Sequence, residues 1–274
     1  MTFKRRFSLF LNQYFIKKPT LRRAVTRLFE GDRDLEIDLL GNKFTINSVK
    51  EHGYLRSSRL SMRASFLSDE IPVLINLANL LSNDDTFVDV GANIGIFSCT
   101  LARLKRLQPH LNFYAFEANP DTYARLKGNG DSFGIQAVNL AISDRDGKLE
   151  FVSGAVSHVF TTVQHASAYS IMDERQVVEC TQLDSILFKG SALVIKIDVE
   201  GQELEILKGA KSLLHSNRIK AIYLDGYAQP EVLDILTSHN FSLYDGRTLA
   251  AYDGVSHSVL AVNPAHLPPG SAAT

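Results

Sequence analysis

Tryptophan is absent from this 274-residue chain, and cysteine is nearly absent, with only Cys99 and Cys180. Two cysteines so far apart in the sequence exclude a disulfide scaffold and the closely paired ligands of a zinc site. The sequence also lacks any apolar stretch near the roughly 18 residues that indicate a membrane span. We therefore expect reduced thiols and a cytoplasmic protein.

An excess of charge of either sign is also missing from the chain as a whole. Lys and Arg number 29 and Asp and Glu number 30, so the net charge is -1. The 45% hydrophobic content, with only 17 Gly and 8 Pro, excludes disordered and collagen-like classes. No overall field therefore attracts the chain to nucleic acid or membrane, and any such attraction must be local. We expect no nucleic-acid partner.

Acidic residues are missing from the first 29 positions. The eight basic residues there are Lys4, Arg5, Arg6, Lys17, Lys18, Arg22, Arg23 and Arg27. Apolar residues recur at helical spacing over 3–15 and again over 21–29, which predicts two short amphipathic helices. Two interpretations remain open for residues 1–29: contact with an anionic membrane surface or a partner, or docking of the apolar stripe on the protein's own core.

The chain as a whole divides into three predicted parts. Residues 1–83 combine the basic helices with a connecting segment, in which we predict a short alternating stretch over 35–39 and a helix over 68–81 but no chemistry. Residues 84–262 form the predicted main domain. Residues 263–274, rich in Pro, Gly and Ala, are predicted to be a flexible tail.

From Thr86 onward, strand-like and helix-like segments alternate. The predicted strands lie near 86–90, 112–117, 135–141, 192–198 and 221–225, and the predicted helices near 95–106, 120–127, 201–214 and 230–238. This alternation predicts an α/β fold with a doubly wound, Rossmann-like sheet. Segments 241–244 and 259–262 predict a closing strand pair, so the sheet should be mostly parallel with an antiparallel closing strand.

A glycine turn follows the first predicted strand of that domain. Ligands bind doubly wound sheets outside the carboxyl ends of the strands, where such a turn lets the backbone approach a nucleotide-like cofactor. The spacing is Asp89, Gly91 and Gly95, whereas the nicotinamide fingerprint would need glycines at Asn93 and Ile96. The turn therefore argues for a cofactor other than NAD.

The second strand ends in Glu117, which is followed by Asn119 and Pro120. A carboxylate at this place in the fold accepts hydrogen bonds from ribose hydroxyls. Asn119 and Pro120 form a typical helix start, which should hold Glu117 on a short rigid turn.

The fourth strand carries charges where both of its faces should be buried. Lys196 and Asp198 lie two residues apart, on one face. Because unpaired buried charges are costly, we expect them to pair with each other or with Asp89. We interpret Lys196 as structural and Asp198, at the carboxyl end of the strand, as functional.

Three motifs of this sequence resemble those of the FkbM-type S-adenosylmethionine-dependent methyltransferases. They begin at Phe87, Phe116 and Ile195, and the resemblance spans about 84–244. It implies an O-methyltransferase for a hydroxyl of a saccharide or another small natural-product-like acceptor. The alternative is a catalytically silent protein of the same fold that is recruited to a membrane or a partner.

The resemblance also implies a cofactor site for S-adenosyl-L-methionine. The turn from Asp89 to Gly95 would hold the methionine part, Glu117 would bind the ribose, and segment 139–143 would face the adenine. The expected cofactor-binding residues are Asp89, Gly91, Ala92, Asn93, Gly95, Glu117, Asn119 and Ala141.

The acceptor side of the site is predicted from acids at strand ends. A hydroxyl acceptor needs its proton removed, and Asp198, Glu200 and Asp225 are the candidate general bases. Asp198 and Asp225 alternatively suggest a divalent metal, although two carboxylates do not establish one. We expect region 152–180 to help form the acceptor pocket; it contains His158, His165, Tyr169 and Met172.

Overall fold

A computed structural model describes residues 19–60, 65–153, 160–162 and 174–266. The chain begins there with helix α1 (Pro19–Glu30), the hairpin of β1 (Asp34–Leu39) and β2 (Asn42–Asn47), and helices α2 (His52–Leu60) and α3 (Ser65–Leu80). The second of the two predicted amphipathic helices is therefore confirmed as α1. The first, over 3–15, lies outside the described residues.

The middle of the chain builds the first half of the main sheet and then a second sheet. The main-sheet part comprises β3 (Thr86–Val90), α4 (Ile96–Ala102), β4 (Asn112–Phe116), α5 (Pro120–Gly130) and β5 (Gln136–Val138). The second sheet comprises β6 (Ala141–Ile142), β7 (Gly147–Ser153), β8 (Phe160–Thr162) and β9 (Glu174–Thr181). The sequence patterns did not predict this second sheet.

The last part of the chain completes the main sheet. It comprises β10 (Leu193–Ile197), α6 (Glu203–Lys208), α7 (Lys211–His215), β11 (Ile219–Leu224), α8 (Glu231–Ser238), β12 (Ser242–Asp245) and β13 (Val259–Val262). The strand order is β12-β13-β11-β10-β3-β4-β5, and β13 runs antiparallel to both of its neighbours. The predicted α/β fold with its antiparallel closing strand is confirmed.

Helices cover both faces of this sheet, and its central strands are therefore buried on both sides. Val88, Ile195 and Ile222 pack with α6, α7 and α8 on one face. Phe87 and Val194 pack with α3 and α4 on the other. Helix α3, from the segment predicted to carry no chemistry, is thus part of the sheet's core. The division of the chain at residue 84 stays a prediction.

Two predicted elements are wrong in their extent. The predicted helix 201–214 is broken between α6 and α7, because the backbone at Gly209 lies so close to Ser143 that a Cβ there would be 2.0 Å from its carbonyl oxygen. The predicted strand 135–141 ends at Val138. Asn139 then donates to the carbonyl oxygens of Glu117 and Ala118 (2.7 and 3.0 Å), and the chain turns into the second sheet.

The predicted flexible tail is also corrected at its start. Asn263 is buried, and its amide donates to Asn217 Oδ1 at 2.6 Å and to the Ile219 carbonyl oxygen at 3.3 Å. These bonds anchor the first residue of the tail to the edge of β11. Residues 267–274 lie outside the described part of the chain.

Candidate active site

A cleft lies where β3, β4 and β10 end at the same edge of the sheet. The amides of Gly91 and Ala92 donate to the Phe116 carbonyl oxygen (3.0 and 2.9 Å), and the Asp198 amide donates to that of Val90 at 3.0 Å. These bonds hold the three strand ends together. The cleft has a volume of about 700 Å³ when the solvent in its open mouth is included.

The floor of the cleft requires glycine at position 91. Gly91 has a φ of +74°, and a Cβ on it would lie 2.0 Å from the Asp198 carbonyl oxygen. The backbones of β3 and β10 can therefore approach each other only where residue 91 lacks a side chain. Gly95, with a φ of +90°, precedes α4 and completes the predicted turn.

Glu117 connects the turns that follow β3 and β4. Its Oε2 accepts from the Asn93 amide at 2.9 Å and its Oε1 from the Asn119 amide at 2.8 Å. Burial raises the pKa of Glu117 to about 7, although the two amides act in the opposite direction. Each carboxylate oxygen retains capacity for a second hydrogen bond, such as one from a hydroxyl group in the cleft.

Half of the predicted cofactor-binding residues line the cleft. Those four are Gly91, Asn93, Glu117 and Ala141. The other four, Asp89, Ala92, Gly95 and Asn119, do not line it. Asn119 instead caps α5, since its Oδ1 accepts from the amides of Asp121 and Thr122 (3.0 and 3.3 Å). Phe151 from β7 and Gln202 from the start of α6 also line the cleft, and the sequence patterns did not indicate either residue.

Asp89 lies beneath the cleft as one partner of a buried ion row. Its carboxylate accepts from Ser98 Oγ at 2.6 Å and lies 3.3 Å from Lys196 Nζ, which is also 3.0 Å from Asp198 Oδ2. The predicted pairing of Lys196 is confirmed with both candidate partners. Burial alone would lower the pKa of Lys196, but Asp198 and Asp89 outweigh it and raise that pKa. Lys196 is therefore a permanent cation.

The three predicted catalytic acids lie at this end of the sheet. Asp198 and Glu200 line the cleft, whereas Asp225 lies beside it after β11. Tyr223 donates to Asp225 Oδ1 at 3.2 Å. Burial, followed by the negative charge of Asp198, raises the pKa of both Asp225 and Glu200. These two acids are therefore stronger bases than exposed carboxylates.

Three further titratable side chains, Glu70, Tyr54 and His257, lie around these acids. None of them was predicted from the sequence as part of the site. Burial, then repulsion by Asp225, raises the pKa of Glu70 on α3 to about 7. Burial and the charge of Asp198 raise the pKa of Tyr54 on α2. The His257 ring lies against Gly226, where a Cβ would be 3.0 Å from its Cε1. The one sequence signal was the acidic pair 69–70 within the otherwise apolar α3.

The possible metal site at Asp198 and Asp225 gains no support from additional ligands in the described part of the chain. Within the described ranges, no group of three or more His, Cys, Asp or Glu side chains has an arrangement that would hold a metal ion. The four side chains singled out in the predicted acceptor region, His158, His165, Tyr169 and Met172, lie outside the described residues.

Comparisons with known proteins complete the description of this site. The family model of the methyltransferase FkbM domain matches residues 89–243. The hexuronic acid methyltransferase AglP of Haloferax volcanii is 30% identical over 207 residues, which cover 74% of this chain and 78% of the relative.

Solved structures show weaker similarity. Methyltransferase FkbM from Methylobacillus flagellatus has a TM-score of 0.41 and 15% identity, over 72% of this chain and 60% of that one. A TehB-like SAM-dependent methyltransferase from Corynebacterium glutamicum has a TM-score of 0.41 and 11% identity, over 77% and 97% of the two chains. Both TM-scores lie below 0.5, so only the family model and the sequence relative carry weight.

Proposed function

Because the chain belongs to the FkbM family of S-adenosylmethionine-dependent methyltransferases, we propose that it methylates a hydroxyl group of a saccharide or a similar small acceptor. The observation that carries this proposal is the cleft itself, which places Gly91 and Glu117 beside Asp198 and Glu200. The similar hexuronic acid methyltransferase supports a sugar as the acceptor.

The residues of the cleft fit S-adenosylmethionine in three respects. Gly91 allows close approach to the backbone, and Glu117 can accept from ribose hydroxyls. Asn93 Oδ1 is buried and has no hydrogen-bond partner within the described part of the chain, so it can accept from an amino group of the ligand. An apolar wall suits the adenine; it consists of Phe116, Leu140, Ile142 and Phe151. When bound, this cofactor supplies a methyl group already activated by its sulfonium.

The acids of the chain supply the remaining chemistry. Lys196 Nζ lies 3.0 Å from Asp198 Oδ2 and fixes that carboxylate at the cleft, which suits Asp198 to orient the acceptor. The single proton of the acceptor hydroxyl goes to one of the two acids with raised pKa values, Glu200 or Asp225. General-base help of this kind contributes about 10²–10⁴ in rate.

The test is methyl transfer from labelled S-adenosylmethionine to neutral hexoses, hexuronic acids and their glycosides. We expect an alkali-stable methyl ether, and an alkali-labile ester would contradict hydroxyl methylation. Glu200→Gln and Asp225→Asn should lower kcat by about 10²-fold or more if they are bases, while S-adenosylhomocysteine affinity is kept. The control is Glu231→Gln, at an exposed acid of α8, which should retain full activity.

Family membership favours this enzyme over the silent binding protein of the same fold. The two hypotheses predict different results with one preparation. An enzyme binds S-adenosylhomocysteine and transfers methyl groups. Binding without transfer to any acceptor would instead support the silent protein, and absence of binding by folded protein would refute the cofactor site.

A further inference from the structure

Helix α1 carries apolar side chains that the described part of the chain leaves exposed. At about 100° per residue, positions 21, 24 and 28 lie on one side of a helix. Leu21 and Leu28 are 51% and 80% exposed, and Ala24 is exposed as well. Thr26 and Glu30, on the opposite side, are buried. Of the predicted stripe, Leu21 and Leu28 therefore do not dock on the core, whereas Val25 and Phe29 are half-buried.

Arginines border this stripe. Arg27 is exposed and lies next to it on the helix surface, followed by the half-buried Arg23. Arg27 pairs with Asp32 at 2.8 Å, with both side chains largely in solvent. Such an exposed pair contributes little and is readily exchanged for another anion.

Another arginine approaches from the neighbouring helix α2. Arg56 lies near Arg22, and burial together with the charge of Arg22 lowers the pKa of Arg56. Its Nε is buried and has no hydrogen-bond partner among the residues that the structure describes. This pair of arginines adds positive charge beside α1.

We propose that α1 lies on an anionic membrane surface, with Leu21 and Leu28 inserted between lipids and with Arg27 and Arg23 facing the phosphate groups. Amphipathic helices with arginine beside leucine bind membrane interfaces in this way. The uniformly basic composition of residues 1–29 adds attraction, since each cation near an anionic surface contributes. None of the helices in the described ranges is long and apolar enough to cross a bilayer, so α1 would lie on the surface.

The basic charge of residues 1–29 favours an anionic lipid surface over a second copy of the chain as the partner that covers Leu21 and Leu28. A second copy would bring another set of eight basic residues against the first, and like charges repel. The apolar stripe alone is also too short for stable anchoring, which requires a second signal such as a basic patch. Lipid phosphates satisfy both conditions together.

The experiment is co-sedimentation of the full chain with phosphatidylcholine vesicles, with and without about one third phosphatidylglycerol. We expect binding only to the anionic vesicles, weakening as NaCl rises from about 0.1 M to about 0.5 M. The double variant Leu21→Ser, Leu28→Ser should bind at least about tenfold more weakly, because it loses two inserted side chains. Its circular dichroism and S-adenosylhomocysteine affinity should match those of wild type.

A matched control changes two exposed apolar residues elsewhere. Leu187→Ser with Val255→Ser alters side chains that are 91% and 84% exposed and should leave vesicle binding unchanged. Equal binding of the α1 variant and wild type, or no binding by wild type, would overturn the proposal. So would self-association in sedimentation velocity that the α1 variant abolishes, because it would assign the stripe to a second copy. None of these results depends on methyl transfer.

Discussion

Proton release should accompany cofactor binding at Glu117. In the free protein, burial raises the pKa of this carboxyl to about 7, so it is largely protonated at pH 6. Hydroxyl donors from a bound ribose would favour the carboxylate and lower that pKa. Binding therefore has to remove a proton below pH 7 but not above it. Affinity should rise about tenfold between about pH 6 and about pH 8, or about 1.4 kcal/mol.

Isothermal titration with S-adenosylhomocysteine measures this linkage directly. Repeating the titration in buffers of different ionisation enthalpy should show nearly one proton released at about pH 6 and almost none at about pH 8. Glu117→Gln should weaken binding and abolish the pH dependence. Affinity that is independent of pH, or proton uptake on binding, would refute a hydroxyl-accepting role for Glu117.

Glu70 is a second carboxyl whose pKa is raised to about 7, and it provides the control for the pH dependence of binding. Burial and Asp225 raise the pKa of Glu70 to about 7, but this residue does not line the cofactor cleft. The charges that act on Glu117 are those of Asp89 and Asp198. Glu70→Gln should therefore retain the pH dependence of binding, whereas Glu117→Gln loses it. Loss of the dependence in both variants would assign the proton to the acidic cluster as a whole.

Three further predictions concern the framework of the site. Gly91→Ala should lower the free energy of unfolding by at least about 3 kcal/mol in denaturant melts, because its Cβ clashes with backbone. Gly128→Ala, in α5 with open space around it, should stay within about 1 kcal/mol of wild type. Lys196→Met should cost about 3–5 kcal/mol by leaving buried Asp89 unpaired, and adding Asp89→Asn should recover part of it. Burial raises the pKa of Cys99 to about 12, so its thiol should react with a disulfide reagent only as fast as the protein unfolds; rapid labelling of native protein would contradict this.

Patterns among residues close together in the sequence were sufficient to predict much of the main sheet. Strands β3 and β10 are short, mostly apolar runs with one charged residue each, and Asn119 with Pro120 begins α5 as predicted. These features depend on residues adjacent in sequence. The breaks at Gly209 and after Val138 could not be found in this way, because each depends on a contact with a distant loop.

The sequence by itself determined the glycine turn after β3, the acid after β4 and the charged pair at the end of β10 (Lys196 within the strand and Asp198 directly after it), because each reflects local backbone or strand geometry. Only the tertiary structure decided what these groups contact. Sheet order places Lys196 between Asp89 and Asp198, and the packing of α3 on the sheet brings Glu70 to the acids. Ion pairs and pKa shifts depend on distances between elements far apart in the chain, which no local pattern encodes.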